Sequence, residues 1–177
     1  MILGGVFVGG ASRRMGRPKG LLVGPDGRTL IARAQRALRD AGAEPVLVGR
    51  RPEYAALGPA IDDALPDAGP LAGLVALLEQ PGADRVIALA CDMPFVTADD
   101  LRALLAVDAR VVAPRRDGRW EPLCAVYSSH VAPIARERLE AGRRSLQGLL
   151  DAVGATEAAL DPDHLNDWDA PEDVSAS

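Results

Sequence analysis

The chain is short of lysine, of cysteine and of aromatic side chains, and each scarcity narrows the reading. Among its 20 basic residues the one lysine is Lys19, and every other is arginine. A composition that favours the planar arginine fork so strongly leaves a compact ammonium only where a point charge is needed, which marks Lys19 as a site residue. The two cysteines, Cys91 and Cys124, lie far apart, without Cys-x-x-Cys spacing or a histidine companion. That excludes a disulfide framework and a zinc site and reads as two buried free thiols. Aromatic residues make up 3% of the chain. No stretch approaches the roughly 18 apolar residues of a membrane span. No positive segment precedes the first apolar run, and Arg13-Arg14 is not followed by an apolar one. The chain is therefore expected to carry no export signal, to make no membrane contact and to be cytoplasmic.

Charge is unevenly spread. The net charge is −5, yet residues 1–51 hold ten basic and three acidic residues, and the remainder holds ten basic and twenty-two acidic. A basic N-terminal portion on an acidic body suits a small polyanion, whereas a nucleic-acid surface would spread its basic residues over a face.

What is present concentrates near the start. The apolar run Val6-Phe7-Val8 empties into Gly9-Gly10-Ala11-Ser12-Arg13-Arg14-Met15-Gly16-Arg17-Pro18-Lys19-Gly20. Gly9, Gly10 and Gly16 permit close approach and positive φ, so successive N–H groups can converge on phosphate oxygens, and Arg13, Arg14, Arg17 and Lys19 add positive charge. Lys19 is followed by glycine rather than Ser or Thr, and Gly-x-Gly-x-x-Gly is absent, so neither a Walker A loop nor a dinucleotide fingerprint is present.

Along the 177 residues, strand-like runs alternate with helical patterns: strand Ile2 to Val8, helix Leu30 to Ala41, strand Pro45 to Val48, short strand Ala60-Ile61, helix Leu71 to Leu78, strand Arg85 to Ala90, helix Asp99 to Leu105 with Thr97 as N-cap, and strand Arg110 to Ala113. This alternation predicts one α/β domain over 1–177 with a doubly wound, mostly parallel sheet flanked by helices. Trp120 to Tyr127 reads as a longer strand after the turn Arg116 to Arg119, an antiparallel addition near residues 120–128 covering the site. Helices are expected over Val131 to Ala141 and Leu146 to Val153, and a terminal helical turn opening at Asn166 to Pro171 in an acidic segment.

Ligands of such sheets bind outside the carboxyl ends of the strands. Asp92, delivered by the strand Arg85 to Ala90, should emerge beside the glycine-rich loop, where a carboxylate would hold Mg²⁺ against nucleotide phosphates. Asp63 should reach the same rim, although Asp62 and Asp67 compete with it. The turn Gly69 to Leu74, including Gly73, would offer N–H groups to a ribose or base, or be a plain Gly-Pro helix start. Glu121 either faces a substrate or is a solvated strand-end residue. Arg115, Arg116, Arg143 and Arg144 are candidates for an anion patch, though paired arginines are often solvated faces.

Four motifs in order, the loop Gly9 to Gly16 with Lys19, Gly69-Pro70-Leu71-Ala72-Gly73, Cys91-Asp92-Met93-Pro94-Phe95 and an Asn166 to Pro171 segment, resemble the molybdenum cofactor guanylyltransferases within the nucleotidyltransferase class. The resemblance runs from about Ile2 to Val174. It implies a Rossmann-like nucleotidyltransferase fold, Mg²⁺ as cofactor on Asp92, and GTP bound by Phe7, Val8, Gly9, Lys19, Asp63 and Asp92, with Gly10 and Gly73 in the same contact set. Arg14, Lys19 and Asp92 would then be the catalytic residues. It further implies transfer of GMP to Mo-molybdopterin, with molybdoenzyme apoproteins or other molybdenum cofactor biosynthesis proteins as partners. Asn166 and Asp169 fall where the family carries an Asn-x-Asn-Thr-Pro-Glu segment.

Three departures stand out. Phe7-Val8 replaces the usual Leu-Ala before the two glycines, placing a larger side chain next to the nucleotide. Val48-Gly49-Arg50-Arg51 stands where many relatives offer an Asn, and Asp169-Ala170-Pro171 replaces Asn-Thr-Pro. A cytidylyltransferase of the molybdopterin type, another small nucleotidyltransferase, and a nucleotide-binding relative without turnover are the alternative readings.

Overall fold

A computed structural model describes residues 1–8, 18–24 and 26–168. Gly9, Gly10, Arg13, Arg14, Gly16 and Arg17 of the basic loop lie outside the described residues, as do Asp169, Ala170 and Pro171.

Among the described residues, seven strands form one sheet. In spatial order they are β3 (Ala60–Ile61), β2 (Glu44–Val48), β1 (Ile2–Phe7), β4 (Arg85–Ala90), β8 (Cys124–Ser128), β5 (Val111–Ala113) and β9 (Thr156–Glu157). The strands β3, β2, β1 and β4 run parallel, and so do β5 and β9. Strand β8 alone in this sheet is reversed, antiparallel to both β4 and β5. The expected antiparallel addition therefore exists but does not cover the site: it is inserted between two parallel strands in the middle of the sheet. Its residues Cys124 to Tyr127 are all buried, because a central strand is covered on both faces and carries apolar side chains on each. The longer strand expected from Trp120 is broken at Pro122. Residues Arg119–Trp120 form β7, which pairs with β6 (Arg115–Arg116) in a separate hairpin. Asp117 and Gly118 close it with φ of 51° and 77°, the left-handed pair that a two-residue hairpin turn requires.

Helices cover both faces. On one, α2 (Pro70–Leu78), α4 (Ala132–Glu140) and α5 (Leu146–Val153) bury Leu71, Leu74, Leu77, Ala135, Leu139, Leu149 and Leu150 with Phe7, Val86 and Tyr127. On the other, α1 (Leu30–Asp40) and α3 (Ala98–Ala106) bury Ile31, Leu38, Leu101 and Leu104 with Val6, Ile87 and Val126. Strand β1 serves both layers through the two-residue period of its side chains. Gly4 and Gly5 let the helices close on it: a Cβ at Gly4 would lie 2.7 Å from Leu38 of α1, and one at Gly5 2.5 Å from Leu77 of α2. Thr97 caps α3 as expected, accepting from the Asp100 N–H while the Asp100 carboxylate accepts from the Thr97 N–H, a capping box. A 3-10 turn stands at Pro162–Leu165 and residues 166–168 are not helical, while the rest of the segment expected to open a terminal helical turn lies outside the described residues. Among the described residues no helix is long and apolar enough to cross a membrane.

Candidate active site

The carboxyl ends of β1 and β4 are side by side, with Phe7 opposite Ala90, so the segments leaving them meet at one edge. Cys91 N–H donates to the Phe7 carbonyl at 3.2 Å, which carries the pairing one step past the strand and delivers Asp92 to the rim. Lys19 arrives from the other side in a 3-10 turn, Lys19–Leu21. That turn is fixed by Gly20, whose N–H donates to Tyr54 Oη at 3.2 Å and where a Cβ would lie 2.5 Å from Ile31. Lys19 Nζ then reaches Asp92 Oδ2 at 2.7 Å, with side chains 17% and 28% exposed. The pair is partly shielded from water and still open to a ligand.

Two further elements hold the Asp92 loop. Arg33 of α1 donates to the Pro94 carbonyl at 2.8 and 3.3 Å. Trp168 N–H donates to the Asp92 carbonyl at 2.9 Å, and the buried Trp168 ring stands edge-on to Phe95 with centroids 6.2 Å apart. The segment 162–168 is thus a strap whose far end is fixed by His164 Nδ1, 2.9 Å from Asp100 Oδ2. Nothing in local sequence pattern announces this role; a tryptophan in an acidic stretch was the available signal.

The structure brings Asp63, Gly73 and Phe7 together. A Cβ at Gly73 would lie 2.6 Å from Val48, 3.0 Å from Asp63 Oδ1 and 3.1 Å from the Phe7 ring, so this glycine keeps the floor beside Asp63 open. The three aspartates differ in surroundings: Asp62 is held 2.9 Å from Arg50, which also donates to the Ala60 carbonyl, Asp63 stands against Gly73, and Asp67 is exposed in a turn with φ of 53°. Although Asp63 is exposed, partial desolvation pushes its carboxyl above its ordinary value, Arg51 opposes that, and Asp62 and Asp67 add to it. Phe7 and Val8 are buried in opposite layers, at 6% exposure each. The larger Phe7 ring is packed into the core, with its edge turned toward Gly73.

Beyond Asp92 opens a cavity of about 410 Å³, lined by Asp92, Met93, Glu121, Leu123, Arg144 and Asp167 among others. Glu121 belongs to it, at the turn between β7 and β8, and is not a solvated strand end. The four arginines considered as candidates for an anion patch are dispersed. Arg115 lies over Trp120 at 3.7 Å and pairs with Glu157, Arg116 is held by Glu121 and Asp167, and Arg143 pairs with Glu137. Arg144 alone of them lines the cavity. Cys91 and Cys124 are buried free thiols, and burial pushes Cys91 up to about 12, so neither is a nucleophile at neutral pH. No group of three or more His, Cys, Asp or Glu side chains gathers at metal-binding range among the described residues.

Known proteins are similar to this chain over most of its length. The chain is 40% identical over 161 residues to a probable molybdenum cofactor guanylyltransferase of Opitutus terrae, covering 86% of this chain and 79% of the relative. It is 36% identical over 177 residues to a molybdenum cofactor guanylyltransferase of Pseudomonas putida, covering 94% and 92%. Among solved structures, molybdopterin-guanine dinucleotide biosynthesis protein A from Archaeoglobus fulgidus superposes with a TM-score of 0.79 at 23% identity, over 99% of this chain and 95% of that one. A 2-C-methyl-D-erythritol 4-phosphate cytidylyltransferase from Thermus thermophilus gives 0.71 at 18%, over 99% and 96%. These structural likenesses, at 23% and 18% identity, show the fold. The model of the MobA-like NTP transferase domain matches residues 4–157, and the chain belongs to that family of nucleotidyltransferases.

Proposed function

We propose that the chain is a molybdenum cofactor guanylyltransferase, transferring GMP from GTP to Mo-molybdopterin and releasing pyrophosphate. The observation that carries this reading is the Lys19–Asp92 pair, set where β1 and β4 end and opening onto the cavity. A nucleotide on one side of that pair and an acceptor in the cavity on the other would meet at the α-phosphate.

The roles follow from charge and position. Asp63 and the open floor at Gly73 support binding of the nucleoside, and Lys19 would turn from Asp92 to the phosphates, neutralising charge that builds on the α-phosphate and the leaving pyrophosphate. Arg14 and the N–H groups of Gly9 and Gly10 would do the same, though they lie outside the described residues. The acceptor phosphate is already ionised at neutral pH, so its attack needs no general base, and catalysis is mostly positioning plus electrostatics.

Asp92 suits a divalent ion. A single carboxylate at a partly open edge, with no cluster of other ligating side chains among the described residues, matches Mg²⁺ held mainly by phosphates and water. When bound there, the ion would supply charge neutralisation across the triphosphate.

Pyrophosphate release, measured with GTP, CTP or ATP and Mo-molybdopterin as acceptor, tests the reading. Release with GTP alone is the expected result. Release with CTP alone would move the chain to the cytidylyltransferases, and none with any nucleotide would leave a nucleotide binder without turnover.

A further inference from the structure

The cavity beside Asp92 carries two more carboxylates, Glu121 and Asp167, and one partly buried arrangement holds both. Arg116 on β6 donates through Nε to Glu121 Oε1 at 2.7 Å, through one terminal nitrogen to Asp167 Oδ1 at 2.7 Å and the Leu165 carbonyl at 2.8 Å, and through the other to Asp167 Oδ2 at 3.2 Å. Asp167 is therefore gripped by both its oxygens, whereas Glu121 is held by one. Glu121 Oε2 accepts no hydrogen bond among the described residues, and Oε1 keeps a second lone pair.

The turn that carries Glu121 is rigid. Pro122 follows it directly, and the Pro122 carbonyl accepts from the hydroxyl of the buried Tyr127 at 2.7 Å. Glu121 is 17% exposed, and burial raises the pKa of its carboxyl while Arg116 opposes the rise. A fixed carboxylate with unused acceptor capacity, in a cavity whose walls include Pro70, Met93, Pro122 and Leu146, fits a flat ring that offers adjacent N–H donors. The aminopyrimidinone edge of a pterin has that pattern: a ring N–H beside an exocyclic amino group.

We propose that Glu121 is the specificity-determining residue for the acceptor, taking the N–H donors of its pterin ring, and that Arg116 is the positioning residue that aims this carboxylate. The inference rests on the guanylyltransferase reading and deepens it. A carboxylate built to take two donors discriminates strongly against a ring that lacks them, because its buried oxygens would be left unpaired.

The test is steady-state GMP transfer, with KM for Mo-molybdopterin and KM for GTP measured separately in the wild type and in Glu121→Gln, Glu121→Asp and Arg116→Lys, and thermal midpoints recorded for each. Glu121→Gln is expected to raise the acceptor KM at least about 10-fold with GTP KM within about twofold of wild type, since one of the carboxylate's acceptor positions becomes a donor. Glu121→Asp keeps the charge but withdraws it, and should shift the acceptor KM the same way. Arg116→Lys keeps a charge without the fork and should give a smaller rise in the same parameter. An unchanged acceptor KM in both Glu121 variants of an enzyme that turns over would make Glu121 a structural ion-pair partner only and overturn the inference. Absence of transfer by the wild type would instead remove the functional reading, and this inference with it.

Discussion

Lys19 Nζ lies 2.7 Å from Asp92 Oδ2, joining across 73 residues of sequence the segments that follow β1 and β4. In the absence of ligand each group neutralises the other, so neither is a bare partly buried charge. On the proposed reading both partners leave the pair when nucleotide arrives, Lys19 for the phosphates and Asp92 for a metal ion.

Lys19→Met and Asp92→Asn should each lower kcat/KM for GTP at least about 100-fold, the scale for loss of one preorganised charge contact in a transition state. Calorimetric titration with Mg²⁺ and GTP should separate the two: Asp92→Asn loses the dependence of GTP affinity on Mg²⁺, and Lys19→Met retains it. Near-wild-type turnover in either variant would remove that residue from the mechanism.

Gly73→Ala tests the floor of the nucleotide side. The added methyl would stand 2.6 Å from Val48 and 3.0 Å from Asp63 Oδ1, on a helix packed against the sheet. Overpacking of this kind costs about 1–3 kcal/mol, visible as a lower midpoint in urea. GTP affinity should fall with it, because the carboxylate of Asp63 is pushed aside.

Asp63 gives a pH dependence of defined sign. Its folded-state pKa is raised by partial desolvation at an exposed rim, so the proton is held somewhat more tightly folded than unfolded. The stability this group contributes is present at low pH and is lost as pH rises from the unfolded value of 3.8 through the raised folded one. Asp63→Asn should accordingly raise the thermal midpoint at pH 7 relative to wild type and lose that advantage near pH 3. The same variant should bind GTP about 10-fold more weakly at pH 7, the scale for one hydrogen bond to a charged group. A midpoint difference that does not change with pH would show that Asp63 is not the titrating group.

Trp168→Ala probes the strap. The ring is 2% exposed and packs against Phe95, and truncating a buried aromatic costs about 3–5 kcal/mol. Beyond that loss, the ring no longer anchors the segment whose backbone N–H tethers the Asp92 carbonyl, so kcat should fall even at temperatures where the variant is fully folded by circular dichroism. Unchanged kcat in the folded variant would confine Trp168 to packing.

Much of the fold was legible in local pattern. The strand Arg85–Ala90 and the helix Leu146–Val153 appear with the bounds their apolar spacing predicts, and Thr97 caps the helix that follows it. Such features depend on neighbours within one turn or one strand, so the sequence by itself determines them. It also determined that Lys19 and Asp92 belong to one edge, because a parallel sheet aligns the carboxyl ends of its strands.

Only the tertiary structure decided the rest. That β8 enters the sheet between β4 and β5, that two residues at Thr156–Glu157 pair with β5, and that Asp62 is taken by Arg50 while Asp63 faces Gly73 are outcomes of long-range pairing. The same holds for the strap that places Trp168 against Asp92 and for Arg116, which joins Glu121 to an Asp167 lying 51 residues beyond Arg116 itself. Periodicity carries which face of an element is apolar, but not which distant element will cover it. The polar groups at this site were placed by the packing of that cover, after local preference had been satisfied.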